Sequence, residues 1–196
     1  MVEALTIERL KKEVEGGRYE HDERRIVGIM LARYEIPEVR EIINSSYNYW
    51  DENSQRDFDV FWAGYGAYLY PDEVSKGKII LDFPDNRKRV YYDQKAFVTI
   101  KNECNRIFKK KYKDYMQMVL LNYHDGRLWF EESLCMDLKN DKESIYEIME
   151  WLIEECSTKS CVEEIKLSYG LKKIKDIVKK ITLSDAIAVL GIFKGI

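Results

Sequence analysis

Apolar positions along this chain recur at helical spacing toward both ends and at strand spacing in the middle. Thr6 is placed to cap a first helix that runs to about Val14 and stops at Gly16-Gly17. Behind Asp22, the residues Ile26, Ile29, Met30 and Tyr34 recur three and four apart, which predicts a second helix ending before Pro37. Pro37 suits the first turn of a third helix, with Val39, Ile42, Ile43 and Ser46 on one face. Residues 1–50 therefore read as a helical N-terminal segment.

The segment 58–70, FDVFWAGYGAYLY, fits either period. Phe58, Phe61, Trp62, Tyr65 and Leu69 have helical spacing, but Gly64 and Gly66 would each cost a helix interior about 1 kcal/mol, which tips the reading to a bent strand ended by Pro71-Asp72. Residues 78–83 and 88–92 flank a turn at Pro84-Asp85-Asn86 and read as a hairpin, followed by a helix from Asp93 to about Lys113. Residues 116–123 and 127–134 flank His124-Asp125-Gly126, a second hairpin whose Asp-Gly pair supplies the turn geometry. Asp141 or Ser144 then caps a helix with Ile145, Ile148, Met149, Leu152 and Cys156 as its buried stripe. The expected fold is α+β: an antiparallel sheet built from two hairpins around a central helix, with helical N-terminal and C-terminal segments. It is read as a single domain over 1–196, with a sheet-containing core at 58–139 and C-terminal helices over 141–196.

The C-terminal part changes character. Ile174, Ile177, Val178 and Ile181 make a stripe between lysines, Thr182 with Asp185 forms a capping box, and the last eleven residues, AIAVLGIFKGI, hold one polar side chain, Lys194. Eleven residues are too few to cross a bilayer, where about 20 are needed. This apolar tail reads first as a core helix, then as a surface for a partner or a second copy of the chain, and last as a membrane contact.

Composition sharpens one point. Of the 25 aromatic residues, nine (Tyr47, Tyr49, Trp50, Phe58, Phe61, Trp62, Tyr65, Tyr68 and Tyr70) fall within 24 consecutive positions. The net charge of -3 conceals four blocks: residues 1–60, 61–115, 116–164 and 165–196 carry -5, +5, -8 and +5. A folded chain satisfies most of such a pattern internally, or turns one block to a charged partner. The N-terminus lacks an apolar signal region, so a cytoplasmic location is expected and the four cysteines read as thiols.

Candidate chemistry is sparse. Neither phosphate-binding glycine motif nor a G-x-S-x-G nucleophile elbow occurs, and the two histidines, His21 and His124, read as surface groups. Cys156 and Cys161 lack further ligands at zinc spacing. Asp125, Asp137 and Lys139 resemble the spaced carboxylates and lysine of metal-dependent nucleases, yet acid-x-Lys triplets are expected by chance roughly four times in a chain of this composition. Lys109, Lys110, Lys111 and Lys113, interleaved with Phe108, Tyr112 and Tyr115, form a candidate nucleic-acid patch, and Lys172, Lys173, Lys175, Lys179 and Lys180 a second.

The aromatic segment is the more informative feature. Tyr and Trp combine large contact area with a polar tip, and here acids flank them. The sequence favours a cytoplasmic, non-enzymatic protein-binding domain, of the immunity, antitoxin or other conflict-system kind, needing no cofactor. Its expected contact residues are Tyr47, Tyr49, Trp50, Asp51, Tyr65, Tyr68, Tyr70, Asp72 and Glu73. The alternative is a metal-dependent nuclease or nucleic-acid-binding protein using Asp125, Asp137 and the lysine patches.

Overall fold

The computed structural model describes residues 6–54, 58–68, 78–81, 89–139 and 142–173. Helix α1 (Ile7–Glu13) starts where Thr6 accepts a hydrogen bond from the Arg9 amide, and a wider turn over Val14–Arg18 lets the chain out through Gly17 at φ +103°. Strand β1 (Arg25–Leu31) follows. Helix α2 (Pro37–Ser54) leads to β2 (Asp59–Trp62) and, across Ala63-Gly64, to β3 (Tyr65–Tyr68). Strands β4 (Lys78–Leu81) and β5 (Arg89–Asp93) precede helix α3 (Gln94–Phe108), capped by Asp93, which accepts from the amides of Lys95 and Ala96. The long strands β6 (Met116–His124) and β7 (Arg127–Lys139) meet at Asp125-Gly126, both at positive φ, and α4 (Lys142–Thr158) comes after them.

The fold is mixed α/β, with one four-stranded sheet in the order β2-β1-β6-β7 and one three-stranded sheet in the order β3-β5-β4. Two expectations are corrected. Arg25–Leu31 is a strand, not a helix, and it lies inside the larger sheet with Val27 opposite both Asp59 and Leu121. Nor is that sheet antiparallel throughout: β1 and β2 run parallel, joined by α2 as a crossover helix, and the β4/β5 and β6/β7 pairs belong to different sheets. The chain divides into two compact units, Met1–Val162 and Glu163–Ile196. In the second, residues 163–173 are helical, Lys166 pairs with Glu163, and Lys173 lies over the Tyr169 ring. No described helix is long and apolar enough to cross a membrane, and the tail 186–196 lies outside the described residues.

The aromatic residues join the first unit's layers. Tyr47 and Trp50 of α2 meet Trp62 of β2, Trp62 meets Tyr65 of β3, Tyr65 meets Tyr92 of β5, Tyr92 meets Phe97 of α3, and Phe97 meets Tyr112, with centroids between 4.8 and 6.3 Å. Each such pair adds about 0.5–1.5 kcal/mol beyond the area it buries. The Tyr65 hydroxyl, fully enclosed, donates to the Ala32 carbonyl at 2.8 Å, so the spine carries a polar tip into the core without leaving it unpaired.

All four cysteines are free, and Cys104 is buried on α3. Burial, with smaller contributions from Cys135 and Glu103, pushes its thiol up to about 12. Alkylation at pH 8 followed by peptide mass spectrometry is expected to leave Cys104 unmodified in the native protein and to label it in denaturant. Labelling at equal rates in both would contradict this burial.

Candidate functional site

Nine contact residues were expected from the aromatic segment, and the structure divides them. Tyr47, Trp50 and Tyr65 point into the core as members of the spine, with Trp50 only 1% exposed, so they leave the contact set. The physical reason is the crossover: α2 must lay one face on the sheet, and its largest side chains supply the area to do it. Asp51 lies in α2 and Tyr68 in β3, while Tyr70, Asp72 and Glu73 fall outside the described residues.

Tyr49 projects from α2 away from the spine. It is 40% exposed and stacks on Tyr146 of α4, itself 38% exposed, with ring centroids 5.6 Å apart and planes at 24°. Its hydroxyl donates to Glu150 Oε2 at 3.0 Å, and this hydrogen bond raises the Tyr49 phenol above its ordinary value. Tyr146 and Glu150 stand one turn apart on α4, on the flank of the buried stripe of Ile145, Met149 and Leu152. Trp50 lies under them, 6.1 Å from the Tyr146 ring. Among the described residues, Trp50 Nε1 and Glu150 Oε1 are buried polar atoms without a hydrogen-bond partner.

The surface around this pair is acidic. Glu143, Glu147 and Glu154 are exposed on α4 and Glu52 on α2, and neither helix has a basic residue in its last turn. The sequence reading missed Tyr146 and Glu150. The available signal was a tyrosine on the polar side of an otherwise amphipathic helix.

No protein-family model, curated protein or solved structure matches this chain.

The structure does not assemble the other candidate sites. Asp125 sits at the β6/β7 turn, hydrogen-bonded to His124 Nδ1 at 2.8 Å, and Asp137 lies ten residues along β7 from Arg127, about 30 Å at the rise of a strand. Burial alone would raise the Asp137 carboxyl, but hydrogen bonds from Lys110, Tyr115 and Gln117 outweigh it and hold it below its usual value. Asp137 is thus committed to a structural cluster, with Lys110 Nζ at 2.7 Å, and the paired-carboxylate metal reading is withdrawn. Lys139 ends β7, and no group of three acidic, histidine or cysteine ligands converges among the described residues.

The lysine patch changes in the same way. Lys110 reaches Asp137 and the Cys135 carbonyl, while Lys109, Lys111 and Lys113 are exposed. The aromatic residues between them face elsewhere: Tyr112 is buried against Phe97, and Phe108 stacks with Phe130 at 6.2 Å. Tyr112 therefore offers no stacking platform for a base beside these lysines, and one face of Phe108 is already taken by Phe130.

A second polar cluster lies just beyond β1. Tyr92 donates to Glu35 Oε2 at 2.7 Å, Arg33 Nε lies 3.6 Å from the same oxygen, and Arg33 reaches Asp114. Glu35 Oε1 and the Tyr112 hydroxyl are buried there without a hydrogen bond of normal geometry, and burial raises both the Tyr92 and Tyr112 phenols.

Proposed function

We propose that this protein is a non-enzymatic recognition domain that binds another protein through the outer face of α2 and α4. The observation that carries the reading is the exposed Tyr49/Tyr146 stack fixed by Glu150. Two half-exposed aromatic rings held in place by a neighbouring carboxylate lose little conformational freedom on binding, which is the property that makes tyrosines frequent anchors of interfaces. Their acidic surround selects among partners by charge. A cytoplasmic setting suits free thiols.

The test is retention of a co-purifying partner from native lysate. Changing both Tyr49 and Tyr146 to alanine is expected to reduce retention at least about tenfold, with the far-ultraviolet circular dichroism spectrum unchanged. A double variant that keeps its partner in full means that this face is not the contact.

A further inference from the structure

We propose that the group recognised by the α2–α4 face is an arginine side chain carried on a basic segment of the partner protein. This rests on the reading of that face as the contact surface and specifies what the surface takes. Three observations converge on a planar cation. The two tyrosine rings are near-parallel and half-exposed, so a ring face is available for a guanidinium to stack on. Glu150 uses Oε2 to accept from Tyr49, and its Oε1 has no partner. The Tyr49 hydroxyl thereby orients the carboxylate while leaving half of its accepting capacity unused, and a small rotation presents that oxygen to a donor arriving over the rings. The third observation is charge: Glu143, Glu147, Glu154 and Glu52 surround the pair, with no basic side chain in the last turn of either helix.

Arginine fits this arrangement better than lysine. Its flat guanidinium stacks on an aromatic face and directs N–H donors along the edge at the same time, so one side chain satisfies both the tyrosine pair and Glu150. An ammonium is a hydrated point charge and engages the carboxylate alone. A nucleic acid would meet the acidic rim with like charge, and a wholly apolar segment would leave that rim desolvated and unpaired.

The full chain is titrated by fluorescence anisotropy against a labelled twelve-residue peptide made of four Arg-Gly-Leu repeats, and against the same peptide with every arginine replaced by lysine. The arginine peptide is expected to bind at least about tenfold more tightly. Glu150→Gln is expected to weaken it about tenfold and Tyr146→Leu by more, whereas Tyr49→Phe, which keeps the ring and removes the hydroxyl, costs about threefold. Equal affinity for the two peptides, or arginine binding that survives both Glu150→Gln and Tyr146→Leu in proteins of unchanged melting temperature, overturns the proposal.

Absence of arginine-peptide binding, with partner retention still lost in the Tyr49/Tyr146 double alanine variant, overturns the arginine assignment and leaves the contact surface standing. Absence of arginine-peptide binding together with full partner retention in the double alanine variant removes both. Sedimentation velocity supplies the remaining outcome: self-association that disappears in Tyr146→Leu would make a second copy of this chain the occupant, replacing a separate partner.

Discussion

Replacing Gly64 with alanine is expected to lower the melting temperature by about 10 °C. Gly64 stands at φ +80° in the two-residue link between β2 and β3, and a Cβ there would lie 2.7 Å from Phe97 Cβ and 2.9 Å from the Asp93 carbonyl oxygen. The positive φ costs an L-residue about 1–2 kcal/mol, and overpacking adds about 1–3 kcal/mol. Relief by backbone movement is blocked, because Asp93 donates its amide to the Gly64 carbonyl at 2.8 Å while its side chain caps α3. The total of about 3–4 kcal/mol converts at about 2–4 °C per kcal/mol for a chain of this size. Gly16→Ala is the control: Gly16 has φ -82° with nothing within 4 Å of a Cβ, so a change within about 0.5 kcal/mol is expected. Thermal unfolding followed by circular dichroism compares the two. Equal melting temperatures would mean that the link between the sheets is not held as described.

The same link shows what was legible in the sequence. Gly64 and Gly66 argued for bent strand over helix, and the chain here does turn from one sheet into the other, with Gly66 admitting the Tyr91 ring to within 2.7 Å of where a Cβ would stand. A mixture of helix and strand was legible, as was the concentration of aromatic residues. The placement of β1 was not. RIVGIML is covered on both faces, so every residue from Ile26 to Leu31 is buried and the alternation that marks a half-exposed strand is absent. A continuous apolar run can be fitted to helical spacing equally well, and Ile26, Ile29, Met30 and Tyr34 were. Gly28 was the overlooked sign: a Cβ there would stand 3.0 Å from Met118 Sδ, the close approach of a central strand to its neighbours.

The aromatic segment had a comparable ambiguity, with a different resolution. Nine rings in 24 positions cannot all face one way from a helix followed by two short strands. Tyr47 and Trp50 turn inward because α2 crosses over the sheet, and Tyr49 turns outward because it lies between them. Its partners Tyr146 and Glu150 are about 100 residues away, a distance no local pattern crosses. Local composition therefore pointed to α2, and tertiary packing decided which of its rings faces outward.

Asp59→Asn is expected to destabilise the protein by about 2 kcal/mol at pH 7 and by much less at pH 2. Asp59 opens β2, the four-residue edge strand of the larger sheet, and accepts two hydrogen bonds from Arg18, both at 2.9 Å, and one from the Tyr19 hydroxyl. Arg18 also lies over the Phe61 ring, so the network ties the turn after α1 to a strand too short to hold its own register. Burial alone would raise the Asp59 carboxyl, but the hydrogen bonds from Arg18 and Tyr19 outweigh it and the net displacement is downward. A carboxyl depressed in the folded state binds fewer protons there than in the unfolded chain, whose value is about 3.9. Its contribution is complete above that value and is lost as pH falls through the lower folded one. The stability curves of the wild type and the asparagine variant, measured by urea unfolding between pH 2 and 7, are therefore expected to lie apart at neutral pH and to converge below about pH 4. A gap that stays constant across that range would show that the network acts through packing and not through the charge on Asp59.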